Sequence, residues 1–299
     1  MSIQQSVAYG VIRIVLPAYY RSHRFDYRAQ RTAWDRITPQ KLPKGVMSRP
    51  VDEDGVQGEF LYMEGNPQDT TVLYIHGGGF VVGSTKAIRP LTGNLVKTLG
   101  LNLLSINYRL APEHQYPAAH EDCMNAYRWL LNQPFGKRLL IMGESAGGNL
   151  ILGTVLHAKD DGLPLPECVV GMAPTVQYDI DFPSYTENLK SDCIVAGISE
   201  ETKADYVYCG DQEKLHDPYF APYYGDFSGF PPTMLICSDT EFLRDDSVFL
   251  HEKLQKAGVT SRLCVFHKTM HIFPAFPVLP ESKEAYRKIK DFVYEVMKI

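Results

Sequence analysis

Tryptophan is scarce in this chain, with two in 299 residues, and cysteine is little commoner, with six. Cys123, Cys168, Cys193, Cys209, Cys237 and Cys264 stand far apart. None forms a C-x-x-C or C-x-x-C-H unit, so the spacing offers no ligand set for structural zinc, dithiol redox or covalent haem chemistry. They read as free, mostly buried thiols, which suits a reducing compartment. A long apolar run is missing too. The nearest, Val7 to Leu16, is broken by Arg13, whereas a membrane-spanning helix needs about eighteen or more uninterrupted residues. The N-terminus also lacks the basic region, apolar core and cleavage site of a secretory signal, so a cytoplasmic location is expected. No large charge excess is present: the net charge is −5, with the two signs interspersed. That excludes an electrostatic footprint for nucleic acid or an anionic membrane, and a small neutral molecule is the expected partner.

What the chain does have is core material, 44% apolar against 22% charged residues, and enough length for one α/β domain. Six short apolar runs are spaced along it: Val72 to Ile75, Leu101 to Ile106, Leu139 to Met142, Cys168 to Met172, Met234 to Cys237 and Arg262 to Phe266. Runs this short and continuous predict central strands of a parallel sheet, buried on both faces. Helical patterns lie between or after them, at Leu91 to Thr98, Ala118 to Leu131, Ser247 to Ala257 and Lys283 to Met297. The alternation predicts an α/β fold with helices on both faces of a mostly parallel sheet. Ahead of it, Ile3, Val7, Val11 and Val15 form one helical stripe, which fits a lid helix or a helix packed on the domain. Asp26 to Met47 reads as a polar connector. Asp179 to Tyr224 breaks the rhythm and is either a pocket wall or a surface insertion, with a weak helical core near Glu200 to Tyr208.

Two motifs carry chemistry. Leu140 to Met142 runs as an apolar strand into Gly143-Glu144-Ser145-Ala146-Gly147 and then into a helix-compatible stretch. A G-x-S-x-G at a strand-to-helix turn lifts its serine clear of its neighbours, and the following helix points its N-terminal dipole at developing negative charge. His76-Gly77-Gly78-Gly79 follows the first clear strand, and three glycines let backbone N–H groups converge on one point. A phosphate cradle is disfavoured because no Lys-Ser/Thr ending or G-x-G-x-x-G run accompanies it.

Taken with Tyr108-Arg109-Leu110-Ala111-Pro112-Glu113 and Gly143 to Gly148, the His76 to Gly79 element makes the chain resemble the hormone-sensitive-lipase family of esterases over roughly Val72 to Val296. The resemblance implies the α/β-hydrolase fold with a small helical cap. The expected division is a cap segment, residues 1–45, and a hydrolase domain, residues 46–299, with residues 179–224 a candidate second part of the cap. The resemblance also implies an oxyanion hole from the N–H groups of Gly78, Gly79 and Ala146, with His76 steadying the loop and Glu113 and Asp122 supporting it. This chain departs from the family's usual residues at Glu144, where Asp is common, and at Thr269, where Gly is frequent.

A serine hydroxyl needs a base, and the base needs an orienting acid. In α/β-hydrolases these follow the serine in the order acid, then histidine. His271 fits, with His267 as its rival; His23, His114, His120, His157, His216 and His251 read as surface or supporting residues. The acid lies in Ser238 to Asp246, where the family's register points to Glu241 and Asp239 competes, while Asp245 and Asp246 read as the start of a helix. The expected protein is thus a serine carboxylesterase acting on small, short-acyl esters through Ser145, His271 and Glu241, with no metal or organic cofactor. A deacetylase or amidase using the same residues is the alternative, as is a non-catalytic ligand-binding protein on this scaffold. Oligomeric state is left open.

Overall fold

The computed structural model describes residues 26–38, 40–192, 194 and 205–299, together with Ser2 and Gly10. The stripe of Ile3, Val7, Val11 and Val15, together with His23, Cys193 and residues 200–204, lies outside the described residues.

Eight strands form one sheet: β1 (Met47–Glu53), β2 (Val56–Tyr62), β3 (Thr70–Ile75), β4 (Asn102–Ile106), β5 (Arg138–Glu144), β6 (Val169–Met172), β7 (Thr233–Ser238) and β8 (Ser261–Phe266). Their spatial order is β1-β2-β4-β3-β5-β6-β7-β8. β2 runs antiparallel to both its neighbours, and the strands from β4 to β8 are parallel. β3, β4 and β7 are buried at every position, as strands covered on both faces must be. The pleat sends alternate residues to opposite cores: Leu73, Ile75, Leu139 and Ile141 join one apolar cluster, and Val72, Tyr74, Leu140 and Met142 the other.

The helices are α1 (Tyr27–Ile37), α2 (Arg89–Leu99), α3 (Ala118–Leu131), α4 (Ala146–Asp160), α5 (Pro183–Glu187), α6 (Arg244–Lys256) and α7 (Pro280–Met297). α3, α4 and α6 feed the first cluster through residues such as Tyr127, Leu150 and Leu250, while α2 and α7 feed the second through Leu95, Ile289 and Phe292. From β3 the chain crosses by α2 to β4 on one side, then by α3 to β5 on the other. Strand order therefore reverses at β3, and the crevice beyond the ends of β3 and β5 is where an open α/β sheet holds its ligand.

Two elements differ from the sequence reading. Residues 47–62 form the β1–β2 hairpin, whose turn places Asp54 and Gly55 at φ 52° and 79°. The Asp54-Gly55 pair is its local signal, and left-handed turn residues match the twist of the strands. The expected connector from Asp26 contains α1, because Asp26 Oδ1 accepts the Ala29 N–H at 2.9 Å and caps the helix. Trp34 then packs against the second core. Within residues 179–224, α5, one π-helical turn (Asp205–Cys209) and two 3-10 turns (Gln212–His216 and Pro222–Tyr224) are described. Asp245 and Asp246, in the first turn of α6, do not cap their own helix. They accept from Ser184 N, Val176 N and Tyr185 Oη, and so clamp residues 176–185 to α6. Of the described cysteines Cys123, Cys168, Cys209 and Cys237 are buried and Cys264 is half-buried. Among the described residues no helix is long and apolar enough to cross a membrane.

Candidate active site

Ser145 stands between β5 and α4 at φ 55°, ψ −122°. Such a left-handed conformation costs a non-glycine residue about 1–3 kcal/mol and persists only where the surroundings enforce it. They do so by close approach. A Cβ on Gly143 would lie 2.5 Å from the Gly147 carbonyl oxygen, one on Gly147 2.1 Å from the Ile75 oxygen, and one on Gly148 2.7 Å from Pro174 Cβ. The Ser145 N–H donates to the Met172 carbonyl at 2.9 Å, tying the turn to β6. Gly147→Ala drives a methyl into the end of β3, and overpacking of this kind costs about 1–3 kcal/mol. The expected result is a melting temperature lower by several degrees together with reduced turnover; an unchanged melting temperature and rate would contradict it.

The glycine loop after β3 lies against this turn: a Cβ on Gly77 would sit 3.0 Å from Ser145 Cβ. Gly78, Gly79 and Phe80 follow at φ 111°, 59° and 62°. Among the described residues the N–H groups of Gly78, Gly79 and Ala146 have no hydrogen-bond partner. Three unpaired donors beside a serine can hold an oxyanion.

Glu144 is buried, accepts the Gly77 N–H at 2.6 Å through Oε1 and the Tyr74 hydroxyl at 2.5 Å through Oε2, and so pins the loop to β5. Burial pushes its pKa up to about 7 against those two hydrogen bonds. His76 Nδ1 donates to the Gly77 carbonyl at 2.7 Å, and its ring stacks on Tyr108 at 4.3 Å. Burial lowers its pKa to about 4, so it is neutral near pH 7. The Tyr108 hydroxyl donates to the His76 carbonyl at 2.8 Å. Sequence reasoning passed over Tyr74 and Tyr108 as loop supports, although Tyr108 opens one of the motifs.

His271 and Glu241 come from the loops after β8 and β7 and are 3% and 1% exposed. His271 Nδ1 donates to Glu241 Oε2 at 2.6 Å, and Glu241 Oε1 accepts the Ser238 N–H at 2.6 Å. Burial alone would lower the His271 pKa, but the hydrogen bond and charge of Glu241, with Asp192 and Glu144 nearby, outweigh it and hold the pKa above the ordinary 6.5. Burial likewise raises the Glu241 carboxyl, against the pull of His271 and Ser238. The rival residues pair with each other at the surface: His267 Nδ1 bonds Asp239 Oδ2 at 2.6 Å, and His267 is 68% exposed.

β5, β6, β7 and β8 are neighbours in the sheet, so the loops bearing Ser145, Glu241 and His271 share one rim. Met172, which receives the Ser145 N–H, lines one small cavity with Ala173, Glu241 and Ile272. Ser145 Oγ and His271 Nε2 are not themselves hydrogen-bonded, and such contacts are often loose until substrate tightens them.

Glu113 and Asp122 both pair with arginines. Glu113 pairs with Arg31 of α1 at 2.7 Å, and Asp122 takes the Arg109 N–H and guanidinium. Arg31 in turn donates to the Val81 and Ala111 carbonyls, so Glu113 reaches the glycine loop only through α1. His120 is buried in an aromatic cluster rather than at the surface. Among the described residues no three His, Cys, Asp or Glu side chains are grouped to hold a metal ion.

Residues 72–275 match the family described as alpha/beta hydrolase fold. The chain is 32% identical over 278 residues to an acetyl-hydrolase of Streptomyces hygroscopicus, with 92% of each chain covered. To an esterase of Acinetobacter venetianus it is 30% identical over 259 residues, covering 86% of this chain and 84% of that one. A solved esterase from the bacterial hormone-sensitive lipase family superposes with a TM-score of 0.89 at 30% identity, over 99% of this chain and 98% of the other. With its parallel sheet, its serine turn and relatives of this identity and coverage, the chain belongs to the α/β-hydrolase-fold family, among the esterases of the hormone-sensitive-lipase type.

Proposed function

We propose that this carboxylic ester hydrolase cleaves small, short-acyl esters through an acyl-enzyme on Ser145. His271 takes the serine proton as Oγ attacks the ester carbonyl, and Glu241 holds the imidazole in the tautomer that leaves Nε2 free to accept. The N–H groups of Gly78, Gly79 and Ala146 receive the tetrahedral oxyanion, each such donor contributing about 3 kcal/mol of transition-state stabilisation. His271 then protonates the departing alcohol, and water repeats the sequence on the acyl-enzyme. His76 and Glu144 hold the donor loop in place.

The observation that carries this reading is the coincidence of three unpaired N–H donors with a left-handed serine, on the same sheet rim as a buried imidazole–carboxylate pair. The acetyl-hydrolase of S. hygroscopicus supports the short-acyl preference, and the thiols of Cys123, Cys168, Cys237 and Cys264, in no disulfide, support a cytoplasmic setting. The cap reading assigns residues 1–45 to a cap segment, with residues 179–224 as its candidate second part. Rates on p-nitrophenyl esters from acetate to decanoate, beside p-nitroacetanilide, test it. The expected result is fastest turnover at two to four acyl carbons and little or none on the anilide. A preference for decanoate would overturn the short-acyl reading, and faster anilide cleavage would favour an amidase.

A further inference from the structure

One group of buried side chains beside the site has no part in the steps above. Phe80, directly after the donor glycines, is left-handed at φ 62° and fully buried. Its ring stacks on Tyr208 with centroids 4.3 Å apart and planes 10° apart. Tyr208 belongs to the π-helical turn within the 179–224 segment, far from Phe80 in sequence, and is also fully buried. Its hydroxyl lies 2.9 Å from His120 Nδ1. Burial lowers the His120 pKa to about 4, so the ring is neutral near pH 7. Its Nδ1 can therefore accept from Tyr208 while Nε2 carries the proton.

That Nε2 and Asn149 Oδ1 are two buried polar atoms without a bonded partner, yet Asn149 and the Tyr219 carbonyl stand close enough to His120 to favour a proton on it. Asn149 is in the first turn of α4, its N–H donating to the Ser145 carbonyl at 3.1 Å, and its Nδ2 donates to the Thr175 and Phe220 carbonyls. The Tyr116 N–H is tied to the Tyr208 carbonyl at 2.8 Å, which fixes the turn from its other side.

We infer that Tyr208 is a positioning residue for the oxyanion hole. Its ring holds Phe80, and through Phe80 the Gly79 N–H, while its hydroxyl bonds His120, whose ring packs against Gly153 of the helix that begins after Ser145. A left-handed phenylalanine relaxes unless packing enforces its conformation, and Tyr208 supplies the best-aligned ring on it. The turn Asp205–Cys209 thereby takes part in transition-state stabilisation. This inference rests on the assignment of Gly78 and Gly79 as oxyanion donors.

Donors that act only on the transition state alter kcat without altering ground-state affinity. A misplacement of about 1 Å can cost about 100-fold in rate. Tyr208→Leu, which removes ring and hydroxyl, is expected to lower kcat on p-nitrophenyl acetate by about 10- to 100-fold with KM within about twofold of wild type. Tyr208→Phe keeps the stack and is expected to fall far less, by about threefold. Phe80→Leu removes the same stack from the other side and repeats the kcat-only loss, and it decides the matter should Tyr208→Leu fail to fold. The double variant is expected to be no slower than the worse single one, because both remove one interaction. A folded Tyr208→Leu with wild-type kcat, a change confined to KM, or Tyr208→Phe as slow as Tyr208→Leu would each overturn the inference. Ser145→Ala is run beside them: if it is as active as wild type, the catalytic reading itself has failed, whereas an inert Ser145→Ala beside an unimpaired Tyr208→Leu sinks this inference alone.

Discussion

Ser145→Ala and His271→Ala are each expected to lower kcat on p-nitrophenyl acetate by about 10⁵- to 10⁶-fold, the scale on which hydrolases of this kind lose turnover when nucleophile or base is removed. In the proposed mechanism the hydroxyl and the imidazole act in one proton-coupled step, so neither would retain value alone. The double variant should accordingly be no slower than either single one. Residual turnover of about 10³-fold over water is expected, because the Gly78, Gly79 and Ala146 donors remain. Ser145→Ala should keep about the wild-type melting temperature, whereas His271→Ala should lower it, because that change opens a cavity and leaves the buried Glu241 carboxylate without its partner. Steady-state rates with calorimetry decide this. A kcat within tenfold of wild type for either variant removes that residue from the mechanism.

Glu241→Ala should cost about 10⁴-fold in kcat, as the loss of a buried orienting carboxylate does elsewhere, while Asp239→Ala stays within a few-fold of wild type. The asymmetry follows from partners: Glu241 bonds the buried His271, whereas Asp239 bonds the exposed His267. The pH profile separates the two further. A general base must be neutral, so kcat/KM falls as pH drops through the His271 pKa, and that pKa is held above 6.5 chiefly by Glu241 acting against burial. The wild-type acid limb should therefore lie above pH 6.5. In Glu241→Gln the charge is gone and burial remains, so the pKa falls and the acid limb moves to lower pH even as the maximum rate collapses. An acid limb unmoved in Glu241→Gln, or the larger loss in Asp239→Ala, would transfer the orienting role away from Glu241.

Local pattern was informative where burial is two-sided. Each of the six apolar runs falls on a strand, with Leu101 and Cys168 one residue ahead of theirs; in β3 to β7 this follows from cover on both faces, while the edge strand β8 is only partly buried. The hairpin β1–β2 escaped notice for the opposite reason: Met47–Glu53 is exposed at six of its seven positions, so no apolar run marks it and only the Asp54-Gly55 turn does. α1 was passed over because its stability comes from one cap and from contacts such as Arg31 to Val81 and Asp35 to Ser84, made with residues about fifty positions away. The aromatic cluster around Phe80 was invisible in the same way, since Tyr208 and His120 meet it only in three dimensions.

Taken alone, the order of residues determined the α/β architecture and singled out Ser145, the glycine loop and a short set of candidate bases and acids, because those features are local: a turn needs its glycines and a strand its apolar run. Which carboxylate faces which imidazole was decided by tertiary structure. Asp239 and Glu241 are two residues apart on one loop, and only the packing of that loop against the one after β8 sends one inward to His271 and the other outward to His267. Burial and the pKa shifts that follow from it were decided there too, because desolvation depends on everything that surrounds a group and not on its neighbours in the chain.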